Sequence, residues 1–289
     1  MSPSVFTDLA QNAPTQVIDY LGVSISIKRL DLIHPHISGN KFFKLKYNIE
    51  YAMQHGDQQI LTFGGAYSNH IAATAFAAHE FGLNSVGIIR GLELQSKPLN
   101  PTLQTAHNFG MQFEFISREQ YRHKEDIEYL NELKQRYPQA YIVPEGGTNA
   151  LAIQGCSEIL TPQDQDFDLI CCAVGTGGTI TGLIEASHSQ QHILGFSALK
   201  GDFLKRDVAR LTLKHNWSIT DEFCCGGYAK TTPELLDFMQ NFEAKYFIPL
   251  EQVYTAKMLY GLFKMIERGE INTQQKLLVI HSGGLQGRI

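Results

Sequence analysis

The sequence carries one tryptophan in 289 residues and no apolar run near the ~20 residues that span a bilayer. Met1 to Gln16 lacks the basic start and apolar centre of a secretion signal, so the cytoplasm is the expected compartment. Cysteine is sparse: Cys156, Cys171, Cys172, Cys224 and Cys225 include two adjacent pairs but no C-x-x-C spacing. Neither a disulfide framework nor a zinc site follows, and buried thiols in a reducing compartment are expected. Positive charge is not in excess either. With 24 Lys and Arg against 29 Asp and Glu, the formal charge is -5, and the basic residues are dispersed. Nucleic acid and anionic membranes are therefore not expected partners. His34 and His36 flank Pro35 without nearby carboxylates or thiols, which reads as a loop; no metal is expected. Repeats, low-complexity tracts and long linkers are also absent.

What is present is ample core material, 43% hydrophobic residues, enough for one large domain or two smaller ones. Val17 to Tyr20 and Val23 to Leu30 alternate and join at Leu21-Gly22, the pattern of a hairpin. From Gln59 to Val143 short apolar strands alternate with helical patterns. The expected order is strand 60–63, helix 69–81, strand 85–89, helix 102–108, strand 112–116, helix 124–136 and strand 140–143. That spacing predicts parallel strands covered by helices, an α/β fold. Helix 149–160, strand 168–174, helix 180–187 and strand 193–198 continue it; 199–217 shows no regular pattern. Amphipathic helices are expected over 232–242 and 253–268, and a buried-type strand over 276–280.

Two corners stand out. Gly64-Gly65-Ala66-Tyr67-Ser68-Asn69-His70 joins a strand to a helix, and its glycines let the backbone lie close to a ligand while Ser68 stands as N-cap. Helix amides there suit a carboxylate or phosphate. Gly175-Thr176-Gly177-Gly178-Thr179 is a second strand, glycine loop and helix, matching neither the P-loop nor G-x-G-x-x-G, so a monophosphate is the economical reading. Lys41, in Ser38-Gly39-Asn40-Lys41, falls at a helix start, where its charge opposes the helix dipole.

These stretches, with Ser282-Gly283-Gly284 near the C-terminus, stand in an order that resembles the tryptophan-synthase-β-like (fold type II) pyridoxal-phosphate enzymes. Within them the sequence is similar to the branch of D-cysteine desulfhydrase and 1-aminocyclopropane-1-carboxylate deaminase, with a G-N-K-x-x-K-L motif before a Q-S-N turn; the likeness runs from about Ile27 to Gly284. The resemblance implies a two-domain, three-layer α/β/α fold: 1–42 plus 146–289 as a large cofactor-binding domain and 43–145 as a small α/β domain. It implies a homodimer and pyridoxal 5'-phosphate held by Lys41. Lys44 and the Gly175, Thr176, Gly177, Gly178, Thr179 loop would take the phosphate, Asn69 the 3-hydroxyl, and Ser282 the pyridine nitrogen. The substrate would meet Tyr67, Ser68, Asn69, His70 and Thr255, with Lys41, Ser68, Tyr228 and Tyr254 catalytic.

The two activities of that branch divide on two positions. Its deaminases carry glutamate after the second tyrosine and leucine before the C-terminal Gly-Gly, whereas this chain has Thr255 and Ser282. A neutral hydroxyl beside the pyridine nitrogen weakens the ring as an electron sink and favours expulsion of a β-substituent. β-Elimination from D-cysteine or a related amino acid is therefore expected ahead of cyclopropane ring opening. A non-catalytic pyridoxal-phosphate carrier or a nucleotide-binding α/β module is the reading from another class. The sequence departs from the branch at Tyr67, where glutamine is usual, and at Phe42-Phe43, where Thr-Arg is common.

Overall fold

The computed structural model describes residues 13–288; most of the segment read for its missing secretion signal, residues 1–12, lies outside them. The strands are β1 (Thr15–Tyr20), β2 (Val23–Arg29), β3 (Gln59–Gly65), β4 (Asn84–Arg90), β5 (Gln112–Ile116), β6 (Ala140–Val143), β7 (Leu169–Val174), β8 (His192–Ser197), β9 (Trp217–Thr220) and β10 (Leu277–His281). The helices are α1 (Asn40–Gln54), α2 (Asn69–Glu80), α3 (Pro101–Asn108), α4 (Arg118–Tyr121), α5 (Ile127–Arg136), α6 (Ala150–Ser157), α7 (Gly178–Ala186), α8 (Phe203–Ala209), α9 (Pro233–Tyr246) and α10 (Thr255–Glu267).

Two sheets result. One runs β1-β2-β10-β7-β8-β9, antiparallel only between β1 and β2; the other runs β5-β4-β3-β6 and is wholly parallel. β7 explains the layering of the first. Its residues Ile170, Cys172 and Val174 face a core shared with α1, α6 and α7, while Leu169, Cys171 and Ala173 face one shared with α9 and α10. A strand buried on both faces reads as a continuous apolar run, which is why it was legible. The second sheet is likewise two-faced: Leu61 and Phe63 pack with Tyr121 and Leu133, and Ile89 packs with Ile71, Ala75 and Leu103.

The hairpin turns at Leu21-Gly22 as expected, and both residues take positive φ, 53° and 79°. The expected helix over 124–136 begins only at Ile127, because a turn through Arg122 to Asp126 separates it from the short α4. Residues 199–217, expected to be irregular, contain α8 and lead into β9. Only Leu204 and Val208 of α8 are buried, too little apolar surface to mark the helix in the sequence.

Short helices such as α6 are marginal alone, and packing holds them. α6 crosses α1 at Gly155, where a methyl group would overlap the Phe43 carbonyl, and a methyl group on Gly182 of α7 would overlap Cys156 Cβ. These small residues seat α1 without slack. That matters because α1 carries Lys41 and Lys44.

Candidate active site

Lys41 lies in the first turn of α1, and the chain ahead of it is anchored twice. Gly39 donates its amide to Leu30 O at 2.8 Å, and the Asn40 amide donates to Ser282 O at 3.1 Å. Gly39 takes φ 67°, ψ -150°. Asn40 then bridges: its Nδ2 donates to Thr179 Oγ1 at 2.8 Å and its Oδ1 accepts from Lys41 Nζ at 3.0 Å. Burial, then the neighbouring Lys44 ammonium, draw the Lys41 amine down to about 7 against the pull of Cys156 and Glu251. The side chain keeps part of its surface open to the cleft but is enclosed at its amine, and the amine decides its chemistry.

Lys44, one turn on, is buried and also lowered, to about 8, by burial. Its Nζ donates to Gly146 O at 2.8 Å, Thr148 Oγ1 at 3.0 Å and Thr176 Oγ1 at 3.3 Å, and the two threonine hydroxyls lie 2.6 Å apart. Beside them the loop after β7 turns at Gly177 (φ 83°) into α7. A Cβ on Gly178 would stand 2.9 Å from Thr148 Oγ1 and 3.2 Å from Lys44 Nζ, so the cradle closes only around glycine. An ammonium, two hydroxyls and a helix N-terminus converge there, the donor set a phosphate requires.

The Gly64–His70 corner faces this cradle. Ser68 occupies the N-cap of α2, but its hydroxyl makes no capping bond. Asn69 donates Nδ2 to Gly284 O at 3.0 Å and leaves a buried Oδ1 without a partner. His70, 1% exposed, shares 2.8 Å with Thr62 Oγ1, and that hydroxyl donates to Val143 O at 2.8 Å. The imidazole must therefore donate from Nε2, which leaves Nδ1 a bare acceptor with no partner. Burial and then the two lysines hold His70 well below the usual histidine range. Its ring lies over Gly147, a Cβ there standing 3.4 Å from Nδ1. Tyr67, 69% exposed, is the outermost residue of the corner.

Tyr254 lines the far side. A Cβ on Gly175 would approach its ring to 2.9 Å and its hydroxyl to 3.1 Å. Tyr228 meets it edge-on, ring centroids 6.2 Å apart. Burial first, then Tyr228 and Glu251, push the Tyr254 phenol well above its ordinary value, so it is a proton donor at neutral pH. Tyr228 rides on a loop whose residues Cys225, Gly226, Gly227 and Ala229 all have positive φ. Lys257, 1% exposed, holds that loop by donating Nζ to Gly227 O at 2.7 Å.

Sequence reading did not single out Asn40, Thr148, Glu251 or Lys257. Glu251 is buried at the start of α10, accepting from the amides of Val253 (2.7 Å), Tyr254 (2.6 Å) and Thr255 (2.6 Å). Burial outweighs those amides and raises its carboxyl. Thr255 is fully buried and engaged with Glu251: its hydroxyl accepts from the Glu251 amide at 2.9 Å. An acidic residue shortly before a helix start was the available signal for Glu251; the partners of the others come from across the fold. Ser282 enters the site beside Gly39, with its carbonyl tied to α1.

The family model for pyridoxal-phosphate dependent enzymes matches residues 9–283. The chain belongs to that family. It is 31% identical over 288 residues to a putative 1-aminocyclopropane-1-carboxylate deaminase of Thermotoga maritima, covering 92% of this chain and 90% of the relative. It is 29% identical over 303 residues to the mitochondrial bifunctional D-cysteine desulfhydrase/1-aminocyclopropane-1-carboxylate deaminase of Arabidopsis thaliana, covering 92% and 73%. Among solved structures, an ACC deaminase homologue matches 99% of this chain and 96% of its own at TM-score 0.78 and 27% identity. The fold is thus that of a fold type II pyridoxal-phosphate enzyme, and the cofactor is pyridoxal phosphate. The cradle around Lys44, the lowered Lys41 amine and the unpartnered Asn69 Oδ1 fit that group. No helix among the described residues is long and apolar enough to cross a membrane.

Proposed function

We propose that this enzyme carries out α,β-elimination on a small amino acid, D-cysteine or a related β-substituted amino acid, giving pyruvate, ammonia and, from cysteine, sulfide. The observation that carries the proposal is Lys41: an amine drawn down to about 7, opposite a cradle of Lys44, Thr148 and Thr176. Such an amine can hold the cofactor and, when free, take the α-proton at Nζ as general base. The bound pyridine ring supplies the sink for the electron pair left at Cα. Lys44, the two threonines and the Gly175–Thr179 amides would hold the phosphate, Asn69 would serve the 3-hydroxyl, and Ser282 would face the ring nitrogen. Ser68 and the first amides of α2 take the substrate carboxylate, with Tyr67 and His70 flanking it. Tyr254, held protonated by its raised phenol, and the neighbouring Tyr228 donate to the departing β-group, and Thr255 fixes Glu251 beneath them.

We further assign residues 1–42 with 146–289 to a large cofactor domain and 43–145 to a small one, and take the enzyme to act as a cytoplasmic homodimer on small amino acids.

Borohydride reduction of the purified enzyme followed by peptide mapping tests the cofactor assignment; the label belongs on Lys41. Pyruvate release from D-cysteine, L-cysteine, β-chloroalanine and serine tests the reaction, and no pyruvate from any of them sinks it. The relatives' names favour a second reading, ring opening of 1-aminocyclopropane-1-carboxylate to 2-oxobutyrate and ammonia. 2-Oxobutyrate formed faster than pyruvate would select it.

A further inference from the structure

The reaction above leaves unused a cluster at the open end of the four-stranded sheet. Arg90 ends β4 and pairs with Gly65 of β3 in the parallel ladder, so it stands beside the corner that carries Ser68. Its guanidinium lies over the Tyr121 ring, 5.6 Å from the centroid, and an Nη stands 3.4 Å from where a Cβ would sit on Gly65. The guanidinium thus packs at contact distance against position 65, and the aromatic face sets its plane. Arg90 is exposed and has no carboxylate of a described residue within ion-pair distance. The nearby Glu145 is already engaged: it accepts from Tyr121 Oη at 2.7 Å and has Lys124 at 3.4 Å. Tyr228, which meets Tyr254, is among the groups that raise the Tyr121 phenol. Ligands of open parallel sheets bind outside the carboxyl ends of the strands, where Arg90 and the Ser68 corner stand next to each other.

From this juxtaposition, and resting on the elimination reading, we propose that Arg90 recognises an acidic group on the substrate's β-substituent. The preferred substrates are small amino acids whose leaving group bears a carboxylate, sulfonate or phosphate. A planar guanidinium fork fits two oxygens of such a group, which an ammonium cannot match. In the reaction the Cα proton passes to Lys41 Nζ and the Cβ–X bond breaks with both electrons going to X. X departs with its acidic group, and one water converts the released 2-aminoacrylate to pyruvate and ammonia.

The test uses the holoenzyme with both enantiomers of O-phosphoserine and cysteate (acidic), β-chloroalanine and serine (neutral) and 2,3-diaminopropionate (basic). Half-saturation of the change in cofactor absorbance reports binding, and pyruvate reports turnover. Acidic members are expected to half-saturate at concentrations about tenfold or more below neutral ones, the scale of one charge-assisted pair. Arg90→Gln should bring that ratio to about one and Arg90→Lys should restore part of it. Arg136→Gln, which removes an arginine already paired with Glu114 at 3.0 Å, should leave it in place. Equal or tighter binding of neutral or basic members, or an acidic preference that survives Arg90→Gln, overturns the proposal. No spectral response to any of these amino acids or to D- or L-cysteine sinks the elimination reading and this inference with it, whereas a response without acidic preference sinks only this inference.

Discussion

Gly39 and Ser282, far apart in the chain, are in backbone contact: the residue after Gly39 donates its amide to Ser282 O at 3.1 Å, and a methyl group on Gly39 would run into that carbonyl. Two obstacles therefore meet any side chain at 39, the positive φ and the overlap. Gly39→Ala should destabilise the protein by about 2–4 kcal/mol and displace Lys41. Thermal unfolding reads the first and loss of borohydride-fixed cofactor the second. Unchanged values of both would refute the account.

Lys41 should set a pH dependence in the cofactor-free protein. Its folded value of about 7 lies below the ordinary 10.5, so between those limits the unfolded chain binds a proton that the folded one does not. Stability from this group consequently rises with pH across that window, and below it the full cost of the buried ammonium is present. Lys41→Met should stabilise the protein at pH 7 by an amount on the order of 1 kcal/mol, because the side chain is part-open to the cleft, and so raise its melting temperature. The gain should fade toward pH 10. A lower melting temperature at pH 7 would contradict this.

Asp31 works in the opposite sense. Burial pushes its carboxyl up, but His281, with Nδ1 3.0 Å from Oδ1, and the bidentate Arg29 overcome that and hold it at about 2 against an ordinary 3.8. Its contribution is present above pH 4 and is lost as pH falls toward 2. Asp31→Asn should flatten acid unfolding in that window and cost about 3 kcal/mol at neutral pH, because Arg29 is left buried without its carboxylate. Denaturant titrations at pH 7 and pH 3 measure both effects.

Lys257 is a positioning residue for Tyr228 through its bond to the Gly227 carbonyl. Lys257→Met preserves volume but frees a loop of four left-handed residues. The expected result is a fall of about tenfold in kcat/KM, roughly 1.4 kcal/mol, with the cofactor still fixed on Lys41. Loss of the cofactor instead would mean that the lysine supports the core rather than the loop.

The parts of this molecule legible in the sequence are those whose cause is local. β7 and β10 are apolar on both faces, Gly22 and Gly177 mark turns, and Lys41 opposes the dipole of its own helix, so each was read where it stands. β9 was missed because it is an edge strand of four residues, only Ile219 of which is buried. Asn40 was missed for a different reason: its partner Thr179 is 139 positions away, and nothing in Ser38-Gly39-Asn40-Lys41 says where the amide will point. Ser68 stands as an N-cap in both sequence and structure, while its hydroxyl stays out of the capping role, which its position alone does not reveal. Lys257 belongs with Asn40, since its partner Gly227 is 30 positions away, whereas Glu251 bonds the amides of Val253, Tyr254 and Thr255 just after it.

The order β1-β2-β10-β7-β8-β9 sets a condition on how the chain can be made. β10 sits between β2 and β7, yet the ribosome delivers it after both. Until Leu277–His281 emerges, the nascent protein holds two half-sheets, each with an unpaired strand edge of the kind that recruits other chains. The four parallel strands between Gln59 and Val143 have all they need much earlier and can settle first. A nascent chain that stalls before Leu277 is therefore a substrate for chaperones, and closure of the sheet around β10 is the step that releases it.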